Sequence, residues 1–148
     1  MADLVIEHTE IHAPIDACWS AAIDFERYSD WARDLKDVTV KSRDDQGRGV
    51  DVSFRAAGMG RSAAYTLRYD YSDAPHRLAW ELVRGDLVRK LDGYYQFQEV
   101  DDARTHVSYR LEVELLLPLP GFIKRRTQVK IMDTALRELK AQVESAHA

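Results

Sequence analysis

Between Asp37 and Leu117 the apolar residues recur at every second position, run after run, and this period constrains the chain more than any other feature. Val38 and Val40 alternate with Thr39 and Lys41; Val50, Val52 and Phe54 alternate with Asp51, Ser53 and Arg55. Ala63, Tyr65, Leu67, Tyr69 and Tyr71 oppose Ala64, Thr66, Arg68 and Asp70, and Leu78, Trp80 and Leu82 alternate with Ala79 and Glu81. Leu91, Gly93, Tyr95 and Phe97 oppose Lys90, Asp92, Tyr94 and Gln96. Val107, Tyr109, Leu111, Val113 and Leu115 oppose His106, Ser108, Arg110, Glu112 and Glu114. The stretches DDQGRG (44–49), AGMGR (57–61), SDAPH (72–76), RGD (84–86) and DDAR (101–104) read as turns between them. Alternate side chains of a strand point to opposite faces. About six consecutive strands with short turns therefore make an antiparallel sheet, wet on one face and apolar on the other.

The apolar face needs a cover, and the C-terminus supplies one. Phe122, Val129, Met132, Leu136, Leu139 and Val143 form a single stripe at helical spacing, widened by Ile131 and Ala135, which predicts a helix over roughly residues 121–145. Pro118, Pro120 and Gly121 end the last strand and swing the chain across the sheet. At the other end, residues 4–12 read as a strand leading into Ala13-Pro14, and proline suits a helix's first turn. Ile15, Cys18, Trp19, Ala22 and Ile23 then follow helical spacing. Asp24 or Ser29 is a candidate cap for a second short helix carrying Tyr28, Trp31 and Leu35. The expected fold class is α+β, with about seven strands.

A chain of 148 residues suits a single domain over 1–148, and such a domain buries roughly 70% of its unfolded surface. With 45% hydrophobic and 31% charged residues it reads as a globular protein. A net charge of -4 gives no general attraction to nucleic acid. Cys18 is the only cysteine, which excludes an internal disulfide and fits a reducing compartment. The N-terminus is too polar for a signal peptide, and no apolar run approaches the roughly 20 residues of a membrane helix. A cytoplasmic location is the expectation.

Catalytic chemistry is hard to find. His76 falls in a turn, His106 on the wet face and His147 at the end of the chain. His8 and His12 lie on the first strand, where Val5 and Ile11 mark one face and Leu4 and Ile6 the other, so either Glu7 or His8 points inward. Asp92 and Glu112 have wet-face parity, and Cys18 reads as a small buried hydrophobe. No metal-ligand spacing, phosphate loop or cofactor motif stands out. The basic residues are a stronger lead. Lys124, Arg125, Arg126 and Lys130 begin the last helix, where cations oppose the helix dipole. Arg84 and Arg89 flank the RGD hairpin with the parity of the dry face. Solvated side chains and an anion-receiving rim, for an acidic head group or an anionic membrane surface, are both open readings.

The order of strand, two short helices, six antiparallel strands and long helix resembles the helix-grip fold of the START-like (SRPBCC) superfamily. Within it the chain is similar to the polyketide cyclase/dehydrase and lipid-transport group that includes coenzyme Q-binding proteins. The resemblance is carried by API-DACW, DFERYSDWARDLKDV, WELVRGDLVRKLDGYYQF and HVSYRLEVELLLPLPGFIKRR, and spans nearly the whole chain. It implies a curved sheet gripping the last helix round a hydrophobic cavity. The dry-face parity supplies candidate lining residues: Val52, Phe54, Tyr65, Leu67, Tyr69, Trp80, Tyr95, Tyr109 and Leu111, with Met132 and Leu136 from the helix and Trp31 at the entrance. Plain packing accounts for Leu67, Trp80, Leu111 and Leu136. The tyrosines ask for more, because a buried phenol needs a hydrogen-bond partner. Three functions are therefore carried forward: binding of a lipid, isoprenoid quinone or polyketide; a polyketide aromatase/cyclase or dehydratase; and an interaction module with a filled core.

Overall fold

The computed structural model describes residues 3–58, 61–116 and 119–147. The tip of the AGMGR turn, the Leu117-Pro118 step and the His147 side chain lie outside the described residues. Strand β1 (Asp3–Ile11) is followed by helix α1 (Ile15–Ile23), a 3-10 turn (Phe25–Arg27) and the single-turn helix α2 (Tyr28–Trp31). Six strands follow: β2 (Leu35–Val40), β3 (Asp51–Gly58), β4 (Arg61–Asp70), β5 (Arg77–Gly85), β6 (Val88–Asp101) and β7 (Arg104–Leu115). Helix α3 (Gly121–His147) closes the fold. The seven strands form one curved antiparallel sheet in the order β1-β7-β6-β5-β4-β3-β2, which is the helix-grip arrangement expected.

The alternation maps onto the sheet almost as written. Val52, Leu67, Leu78, Phe97, Val107 and Leu111 are all buried on the concave face. Their neighbours in sequence carry the convex face, where Arg68 pairs with Asp51 at 2.9 Å and Lys90 with Glu112 at 3.5 Å. Strand β1 is resolved by its partner: Val5, Glu7, Thr9 and Ile11 stand opposite the inward residues Leu111, Tyr109, Val107 and Thr105. Glu7 therefore faces the helix side. His8 faces out, stacked on His106 at 5.3 Å.

Helix α3 lies along β1 with a flank on α1. Met132, Leu136, Leu139 and Val143 are at most 3% exposed. At about 1.5–3 kcal/mol per fully buried side chain, this stripe contributes on the order of 6–12 kcal/mol to docking the helix. Polar contacts fix its position. Gln128 Nε2 donates to the Asp3 and Leu111 carbonyls at 3.1 and 2.9 Å, and Glu144 accepts from the His12 amide at 2.8 Å.

Four sequence expectations are corrected. Phe122 and Ile131 do not join the stripe: they are 68% and 55% exposed, because the sheet that receives the stripe ends before Phe122 and Ile131 points off its flank. Leu35 belongs to β2, and α2 stops at Trp31. Neither Asp24 nor Ser29 caps it, since its N-cap position is Arg27 with no side-chain hydrogen bond. Arg84 does not share the parity of Leu82. Leu67 pairs with Leu82 but Thr66 pairs with Arg84, so Val83 is an extra, bulged residue that turns Arg84 onto the convex face. A second bulge at Arg89, between the pairs Val88–Leu115 and Lys90–Glu114, reverses the parity of β6 in the same hairpin.

Candidate functional site

The concave face is paved with rings. Phe25 meets Tyr69 at 4.4 Å between centroids, Tyr69 meets Trp80 at 5.8 Å, Trp80 meets Tyr95 at 5.3 Å, and Tyr95 meets Tyr109 at 4.5 Å. A second arm runs from Phe25 through Tyr28 to Trp31 and Phe54, and Phe54 stacks on Tyr65 at 5.4 Å. Seven of the twelve side chains expected to line a cavity, those of Trp31, Phe54, Tyr65, Tyr69, Trp80, Tyr95 and Tyr109, thus form one connected aromatic surface. The other five, Val52, Leu67, Leu111, Met132 and Leu136, are buried, the last two in the stripe of α3. Tyr28 and Phe25 join the array without having been anticipated. Their signal was present: Tyr28 precedes Trp31 by three residues, the spacing of one helical face.

Burial is graded along this surface. At the end formed by β1's C-terminus and α1, Ile11, Cys18, Phe97, Val107 and Leu139 are at most 1% exposed. Toward the opposite end the inward residues Tyr65, Leu82, Leu91, Leu115 and Val129 are only partly buried. The β5–β6 hairpin, the end of β7 and the start of α3 all gather there; the Leu116 amide donates to the Leu87 carbonyl at 3.0 Å. The packing is thus tighter at one end of the sheet, the closed end, and thinner at the other, the open end.

Phenols provide the polar component. The Tyr28 hydroxyl donates to the Ala22 carbonyl. Tyr95 and Tyr109 stand ring against ring, so that each phenol bears on the ionisation of the other. Among the described residues Tyr65 and Tyr69 find no partner, and neither hydroxyl is among the sealed, unsatisfied polar atoms, which are Arg77 Nε and Gln128 Oε1. A buried group that is unpartnered yet not sealed borders open space. Desolvation pushes the Tyr65 phenol up to about 12 and raises those of Tyr69, Tyr95 and Tyr109 as well, with mutual repulsion among these phenols adding for Tyr69 and Tyr109. Tyr95 is desolvated in this way although its ring keeps accessible surface from a mid-strand, inward-facing position.

The basic residues assemble differently from expectation. Lys124 is mostly buried and pairs with Asp3 at 3.4 Å, so it anchors α3 to β1 and does not stand on a rim. Arg84 lies outward beside a convex-face groove of about 460 Å³ that Lys41, Ser53 and Thr66 also line. Arg89, Arg125 and Arg126 are exposed at the open end, and none has an ion pair among the described residues. Asp92 is not a plain wet-face acid: where β5 and β6 splay apart its Oδ1 accepts the Leu82 amide at 2.9 Å. Cys18 is buried, and desolvation raises its thiol. No group of three or more metal-ligating side chains comes together among the described residues, and no helix is long and apolar enough to cross a membrane.

With this geometry in place, comparison with known proteins is informative. The family model described as "Polyketide cyclase / dehydrase and lipid transport" matches residues 4–144. The chain belongs to this family. Among solved structures, a START superfamily protein from Mycobacterium smegmatis superposes with a TM-score of 0.91 at 22% identity, covering 97% of this chain and 98% of that one. The Zhui aromatase/cyclase from Streptomyces gives 0.86 at 15% identity, covering 100% and 97%. A Thermus thermophilus protein gives 0.83 at 21%, covering 99% and 100%. At these identities the likeness speaks for the fold alone. The search of curated proteins returned no match.

Proposed function

We propose that this family member binds an apolar small molecule bearing an oxygen function, in the space between the concave sheet and α3. The observation that carries this is the unpartnered Tyr65 and Tyr69 hydroxyls, set in an aromatic wall that loses its burial toward one end. Such phenols donate readily to a ligand carbonyl or hydroxyl, while the rings supply area for the apolar remainder. A lipid, an isoprenoid quinone and a polyketide all satisfy this chemistry. The raised phenol pKa values favour binding over proton abstraction. Tyr65, at about 12, and Tyr69, raised by the same desolvation, hold their protons at neutral pH and serve as donors, not bases.

Native mass spectrometry of the purified protein, with solvent extraction of whatever it carries, tests the reading directly. An apolar fluorescent probe should bind with one-to-one stoichiometry, and Tyr95→Trp, which fills space in front of the β6 wall, should weaken it. A protein that retains no small molecule and takes up no probe is instead an interaction module with a filled interior.

A further inference from the structure

The first turn of α3 is built unlike the rest of the helix. Phe122 is the most exposed large apolar residue, at 68%, and Ile123 and Leu119 are 36% and 41% exposed beside it. Leu116, the residue after β7, is also 46% exposed. Arg125 and Arg126 stand three and four residues after Phe122, on its face of the helix, and both are exposed. No acidic residue occupies the first turn, although the helix dipole favours one there. A chain of net charge -4 thus concentrates bare cations behind an apolar tip, beside the open end of the fold.

We propose that this tip docks on an anionic lipid bilayer: Phe122, Ile123 and Leu119 enter the interface, and Arg125 and Arg126 meet the phosphates. Charge sign selects this occupant. The rest of the surface repels an anionic membrane, so contact is confined to the tip, and each arginine gains near a negative leaflet what it loses at the helix start. Arginine stems one turn behind an aromatic anchor reach the head-group layer while the ring sits below it. This surface lies outside the aromatic interior, and docking there does not depend on what that interior binds.

The test uses the full chain and phosphatidylcholine vesicles with or without phosphatidylglycerol. Co-sedimentation should occur with the anionic vesicles only and weaken as salt rises. Phe122→Ser should reduce it roughly 10- to 100-fold, and Arg125→Gln or Arg126→Gln about fivefold each. Ile131→Ser, which removes another exposed apolar residue, on the helix flank, should change nothing. Phe122→Cys carrying an environment-sensitive dye should shift to the blue on anionic vesicles; Cys18 is buried and will not compete for label. Absence of vesicle binding, or binding unaffected by Phe122→Ser together with the arginine changes, overturns the proposal. So does a dimer in solution that Phe122→Ser converts to monomer, which would assign the patch to a second copy of the chain.

Discussion

Tyr69 and Tyr28 are both buried phenols, yet they stand in opposite situations. Tyr28 donates a hydrogen bond to the Ala22 carbonyl, so Tyr28→Phe should cost about 1 kcal/mol in urea unfolding. Tyr69 has no such partner, so Tyr69→Phe should leave stability unchanged or slightly higher while weakening probes that carry a carbonyl or hydroxyl. Equal loss of stability in the two variants would mean that Tyr69 is satisfied after all. Glu7 offers a pH handle. Burial raises its carboxyl first, and the neighbouring Asp133 on α3 raises it further. A carboxyl with a raised folded pKa contributes stability that is present at low pH and is lost as pH rises through that folded value. Asp133→Asn should therefore raise the melting temperature near neutral pH and converge with the parent at about pH 4. A constant offset across the pH range would place the cause elsewhere than in this acid pair.

Elements were legible where one residue type keeps one face. The strand pattern from Val107 to Leu115 is carried into β7 without a slip. It failed where an element changes its own rules. The extra residue at Val83 inverts the alternation for Arg84, and a count by twos has no means of seeing a bulge. The stripe of α3 was extended one turn too far because periodicity says which face is apolar and not where the opposing sheet stops. Those two faces can be separated experimentally. Met132→Ala and Leu136→Ala should each cost about 2–5 kcal/mol, and Phe122→Ala under about 0.5 kcal/mol. A comparable cost at Phe122 would put its ring in the core. Gly93 was read only as one more inward residue of β6. Its role is the close approach of two strands, since a Cβ there would come within 2.1 Å of the Arg110 carbonyl oxygen. Gly93→Ala should accordingly destabilise by more than the about 1 kcal/mol typical of a point substitution, as read by thermal melting.

Across the molecule, burial and anchoring rise together from the open end to the closed one. The C-terminal half of α3 is held by Leu136, Leu139 and Val143 and by the bond from Glu144 to the His12 amide, whereas the described part of its first turn rests on the Lys124–Asp3 pair. Amide exchange should be slow from Leu136 to Val143 and fast from Gly121 to Arg126, and an interior ligand should slow the β5–β6 hairpin more than the closed end. Uniform protection along α3 would contradict that gradient. This polarity was not readable in the chain, because it depends on which strand ends meet in space. The seven strands and the covering helix were readable, because each follows from a local period.

The bulge at Val83 has a consequence for how such a sheet can change over time. Val83 is the residue without a partner, so its deletion leaves Arg84 directly after the inward Leu82 and still opposite Thr66 on the convex face. A single codon can thus be lost from β5 with the concave residues and the outward cation all kept in place. The Val83 deletion variant should fold and take up uncharged probes as the parent does, and a gain of affinity for long-chain carboxylates would mean that the strand had slipped register instead.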